Sequence, residues 1–293
     1  MKVEFKYSYV FDLVYHVLAH MQVNNPSNLY SEEYIAMIRE VKAGQGEDIC
    51  RALEALGKYY NDHFEQLCMI NFVPFQCSEL NDLKDMLKAY PGFTSQDREY
   101  FIDPFLELLE RENSFYMKYW NQLFEESESG RNKLEVYLKK ELEKYQQLGK
   151  YYQKELALIG ISFSMTCNGR GLGNAAAFMS TVPYAEKEED YQNVFLQILH
   201  EFTHQFTDGL IQQNISMDDG SHYLSEVLVI LFDYYLIKKL YPNELKDYLF
   251  FMTKGMGMDE TIMTEELFLT QYEVSEDWKN KLQLLVEKIA ELY

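Results

Sequence analysis

Residues 221–240 read SHYLSEVLVILFDYYLIKKL, a run with apolar side chains on nearly every side of a helix, interrupted by Glu226 and Asp233. A helix that is hydrophobic all round belongs inside a fold. An ionised carboxylate there is costly unless it is protonated, paired or coordinated, so the fold has to bring something to Glu226. A Lys or Arg from another helix, a buried tyrosine, or a metal ion would each serve. Asp233 lies seven residues further along the same face. The apolar core of the run, VLVILF (227–232), is far too short to span a bilayer.

The stretch just upstream, VFLQILHEFTHQFTDG (194–209), narrows the choice. His200 and His204 are four apart, which on a helix means about 40° in azimuth and about 6 Å in rise, so both imidazoles can converge on one ion. Glu201 follows the first histidine, beside that face, where its carboxylate can reach a water held by the ion. Catalytic zinc keeps three protein ligands, so a third is required. His-Glu-x-x-His arises by chance in roughly one chain in a hundred of this composition, and only a third ligand separates a site from coincidence. Glu226, 22 residues after His204, is the candidate. Asp233 is placed to orient a ligand histidine through its other ring nitrogen.

Most of residues 1–158 carries helical periodicity, notably at 47–67, 95–126 and 130–160, and is read as a helical N-terminal lobe. From 159 the pattern changes. ISFSMTC (161–167) alternates like a half-buried strand, NGRGLGN (168–174) reads as a glycine-broken turn, and AAAFMSTVPY (175–184) as a second extended segment. Helices follow at about 190–207, 221–240, 243–253 and 276–291, with 207–220 as a polar loop. The expected fold is mainly α with a small β-sheet (α+β), the second lobe spanning 159–293.

These residues resemble the gluzincins, the zinc metallopeptidases that include thermolysin and its aminopeptidase relatives. The resemblance covers roughly 161–233 and implies a zincin-like catalytic lobe in which His200, His204 and Glu226 hold Zn²⁺ and Glu201 is the general base. It also implies an edge strand before the catalytic helix where substrate backbone pairs. GNAAAF (173–178) looks like that element, with Asn174 and Ala175 matching the Asn-Ala of the thermolysin strand and carrying over as substrate-binding residues. Two departures bear on function. The family often has an aspartate four residues after the glutamate ligand, where this chain has Ile230, and the aminopeptidase Gly-Ala-Met-Glu-Asn pattern is absent. Endo- or oligopeptidase action is therefore expected over aminopeptidase action.

The family supplies an oxyanion-stabilising Tyr or His from downstream. His222, one turn before Glu226, and Tyr272 are the candidates named here, Tyr223 being another, and 24 tyrosines leave the choice open. Thr207 and Leu210 stand where the metzincin extension needs Gly and His. Asp208 reads as a helix-terminating or loop residue, and His16 and His20 as surface or core packing. The net charge of −20 opposes binding to nucleic acid and anionic membrane, and the resemblance implies a peptide or protein as the partner. The N-terminus lacks the uninterrupted apolar core of a secretory signal, so a cytoplasmic location is expected. The alternative is a zincin-like binding or structural protein without hydrolase activity.

Overall fold

The computed structural model describes residues 2–21, 32–41, 49–144, 156–164, 170–173, 177–214, 221–255 and 264–291. These are mainly helical and carry one four-stranded mixed sheet. Its strands are β1 (Lys2–Lys6), β2 (Leu156–Ser162), β3 (Arg170–Gly173) and β4 (Ala177–Pro183), in the spatial order β1-β2-β4-β3. The first three in that order are parallel, and β3 runs antiparallel to β4 with Gly171 opposite Ser180.

Three strand positions differ from the sequence reading. The helical reading of the N-terminal region misses β1, because five residues are too few to show a period. β2 begins at Leu156, not at Ile161, and residues 165–167 of the expected strand lie outside the described residues. LALIGIS is mostly buried and paired on both sides, so it reads as a continuous apolar run that cannot be told from the tail of the preceding helix. The supposed turn contains β3, a strand too glycine-rich to announce itself by propensity.

The sheet lies between two helical layers. On one face Ala157, Ile159, Ile161, Phe178 and Val182 pack into a core with Leu134 and Leu138 of the Glu128–Lys144 helix. The same core takes in Phe195 and Phe202 of helix Tyr191–Asn214 and Leu228 and Phe232 of helix Ser221–Leu240. The Phe178 and Phe202 rings meet edge to face at 4.7 Å. On the other face lies the Tyr9–His20 helix, whose Tyr15 hydroxyl is 2.9 Å from Thr181 Oγ1. Gly160 permits the close approach there, since a Cβ would stand 2.9 Å from the Phe75 ring.

Two buried titratable groups of this second layer, Asp12 and His16, are partnered. Asp12, fully buried, accepts from Trp120 Nε1 at 2.7 Å, from the Phe163 amide at 3.3 Å and from the Ser162 hydroxyl. Burial lifts its carboxyl to about 7 in spite of those hydrogen bonds. His16 is a packed core residue, its ring stacked on Tyr116 at 4.3 Å and its Nε2 3.1 Å from Glu112. No described helix is long and apolar enough to cross a membrane.

Candidate metal centre

The helix carrying the histidines runs from Tyr191 to Asn214, one turn and more beyond the expected end. Gly209 does not break it, and Asp208 is an interior helical position instead of a terminator. Val194, Phe195, Ile198, Leu199 and Phe202 anchor the helix in the core beneath the sheet. That leaves His200 and His204 on a less buried stripe, their rings nearly perpendicular with centroids 5.2 Å apart.

The Ser221–Leu240 helix packs alongside. Val227, Leu228, Leu231, Phe232, Leu236 and Ile237 are buried as its apolar circumference requires. Glu226 is less enclosed than that circumference implies, its side chain being 36% exposed at the mouth of the site. Its carboxylate faces both imidazoles, with Oε2 3.4 Å from His200 Nε2 and Oε1 3.6 Å from His204 Nε2. The candidate ligand atoms of the three residues all lie within 4.8 Å of one another, the one such group among the described residues.

Those distances permit a test of fit. Four ligands placed tetrahedrally at zinc bond lengths of about 2.0–2.2 Å are separated from each other by about 3.3–3.5 Å. The Glu226 oxygens already stand close to that separation from each histidine nitrogen. The donor set, two imidazoles and a carboxylate, suits zinc and leaves room for a fourth ligand.

His200 is held from behind. Asp233, 1% exposed, places Oδ2 3.1 Å from His200 Nδ1 and takes the Thr203 hydroxyl on Oδ1 at 2.6 Å. A proton on Nδ1 shared with this carboxylate leaves Nε2 with its lone pair turned to the site. Burial alone pulls the His200 pKa down, but the hydrogen bonds and charges of Asp233 and Glu226 outweigh it, so the ring without an ion is held well above its ordinary value. Asp233 is three residues beyond Ile230 on the same helix.

Glu201 sits beside the ligands on the helix flank that faces the sheet. Burial raises its pKa and Glu226 adds to the rise, while His204, His200 and Arg170 oppose it. The backbone of β3 stands directly over it: a Cβ on Gly171 would fall 2.6 Å from Glu201 Oε2. The edge strand next to the site is thus Arg170–Gly173, not the expected GNAAAF. Of that segment Gly173 ends β3, Ala177 and Phe178 belong to the interior strand β4, and Asn174 and Ala175 lie outside the described residues.

His222 and Tyr272 are the remaining candidates. His222 occupies the first turn of the Glu226 helix, and its side chain is outside the described set. Tyr272 caps the C-terminus of the Glu265–Gln271 helix, 8% exposed and 5.0 Å from the Phe268 ring. Burial and the neighbouring Tyr223 raise its phenol to about 12. Sequence reasoning missed Thr203, Gly171 and Arg170. Thr203 was exposed to detection by its position between the two histidines; the other two take their meaning only from strand placement.

No family model matches this chain, and neither does any curated protein or solved structure.

Proposed function

We propose that the chain is a zinc-dependent peptidase of gluzincin type, with a zincin-like lobe built on the sheet and the two ligand helices. The observation that carries this reading is the Glu226 carboxylate facing the Nε2 atoms of both His200 and His204 at 3.4 and 3.6 Å. Zinc, when bound, would supply Lewis acidity toward water and toward the scissile carbonyl. His200, His204 and Glu226 hold the ion, and Asp233 fixes the orientation and tautomer of His200. Glu201 takes a proton from the attacking water and returns it to the departing amine. The outer edge of β3 offers its N–H and C=O groups to a peptide backbone beside Glu201.

The test pairs metal analysis of the purified protein with cleavage of a mixed peptide pool. Stoichiometric zinc, with turnover that Glu201→Gln lowers by about 10²–10⁴-fold while zinc content stays, supports the reading. Zinc without turnover favours the zincin-like binding protein, and absence of both favours a metal-free polar cluster.

A further inference from the structure

Two guanidinium groups in this protein, those of Arg98 and Arg131, donate to oxygen partners. Arg98 donates to the carbonyls of Lys88 at 3.0 Å and Tyr90 at 2.7 Å, and Arg131 to that of Phe124 at 3.0 Å and to the Ser127 hydroxyl at 3.2 Å. Arg170 differs. Its Nε is sealed from solvent with no hydrogen-bond partner among the described residues, although the chain holds 47 acidic residues against 27 Lys and Arg. A shielded donor left unmade costs about 1–3 kcal/mol in general, so this Nε is a donor awaiting an acceptor.

Its position identifies that partner. Arg170 opens β3, the strand at the rim of the sheet, one residue before Gly171, whose backbone touches Glu201. The guanidinium lies over the Phe64 ring, 5.1 Å from its centroid, and such stacking restrains its plane and leaves its edge available for a bidentate acceptor. A peptide pairing antiparallel to the outer edge of β3 runs from Gly173 toward Arg170. Its C-terminal side, beyond the bond at Glu201, therefore arrives at the Arg170 end of the strand. The overall charge of −20 repels acidic peptides at long range, so recognition of an acid has to be local.

We propose that Arg170 is a specificity-determining residue that receives a carboxylate of the bound peptide on the C-terminal side of the bond to be cut. This rests on the peptidase reading for its ligand. The carboxylate is either the peptide's own C-terminus or an acidic side chain, and both present the same planar pair of oxygens to the guanidinium.

Binding to zinc-loaded Glu201→Gln protein, which does not need turnover, tests it. Four fluorescent peptides of one sequence are compared: free acid, C-terminal amide, and amides carrying Glu or Gln near the C-terminus. One or both carboxylate-bearing peptides should bind about tenfold more tightly than the neutral twin. Arg170→Gln should abolish the difference and Arg170→Lys retain part of it, with circular dichroism checking the fold of each. A preference from the free acid alone identifies the terminus as the source, and one from the Glu peptide alone identifies a side chain. Equal binding within both pairs, a preference that survives Arg170→Gln, or no binding of any of the four overturns the proposal. Cleavage by the parent protein is scored separately: an Arg170-dependent preference without any cleavage sinks the peptidase reading and leaves the carboxylate site standing.

Discussion

The Thr203 hydroxyl stands 2.6 Å from Asp233 Oδ1, joining the histidine helix to the helix that supplies the third candidate ligand. Both residues are buried, and the other oxygen of Asp233 meets His200 Nδ1 at 3.1 Å. The same hydroxyl lies 3.0 Å from the Leu199 carbonyl, so its one proton has two acceptors and Asp233 offers the shorter contact.

Thr203→Val should loosen Asp233 and, through it, His200. Partners of this kind are generally worth about 10–100-fold in metal affinity, and the expected loss lies toward the lower end because Asp233 itself remains. Thr203→Ser should restore affinity. Zinc competition against a chromogenic chelator measures both, and a valine variant with unaltered affinity would remove Thr203 from the support of the site.

Gly171→Ala should separate turnover from metal binding. The added Cβ would lie 2.6 Å from Glu201 Oε2 and 2.8 Å from the Phe178 ring, so either the carboxylate or the strand has to move. Displacement of a reacting group by about 1 Å costs on the order of 10²-fold in rate. Peptide turnover should fall by about that factor with zinc content unchanged. Full activity in the alanine variant would show that the close approach of β3 is irrelevant to Glu201.

Glu226→Gln should cost zinc more than it costs the fold. The side chain is 36% exposed, so a neutral amide is tolerated there, but one of three candidate ligands loses its charge. Elemental analysis should show substoichiometric metal after dialysis. A strong chelator should lower the melting temperature of the parent and leave this variant nearly unaffected, because an ion bound only to the folded state stabilises it by mass action. Equal chelator sensitivity in the two proteins would point to a different ligand.

Asp12 should give the protein a pH dependence that has nothing to do with the site. Its carboxyl rises from 3.8 to about 7 on burial, so the folded state binds its proton more tightly than the unfolded state does. The contribution to stability is fully present below about 4 and is lost as pH rises through about 7, on the order of a few kcal/mol over the whole window. Asp12→Asn should flatten this decline in chemical denaturation between pH 4 and 8. Parallel stability curves for parent and variant would mean that Asp12 ionises freely in the fold.

What could be read from residue order was local. The spacing of His200 and His204 needs only the 3.6-residue turn, and the acids of the Ser221–Leu240 helix stand out because its other residues demand burial. Mainly helical content with a little sheet was legible for the same reason, since long periodic segments dominate the chain. The tertiary structure alone decided the rest. Residue order offered Asp233 as the partner of a ligand histidine, but that it reaches His200 Nδ1 depends on where two helices cross. Strand pairing decided that Lys2–Lys6 joins a segment more than 150 residues away and that Arg170–Gly173 lies over Glu201. Pairing between distant segments leaves no period in either one, and a glycine's value lies in the space it leaves for a neighbour that sequence does not name.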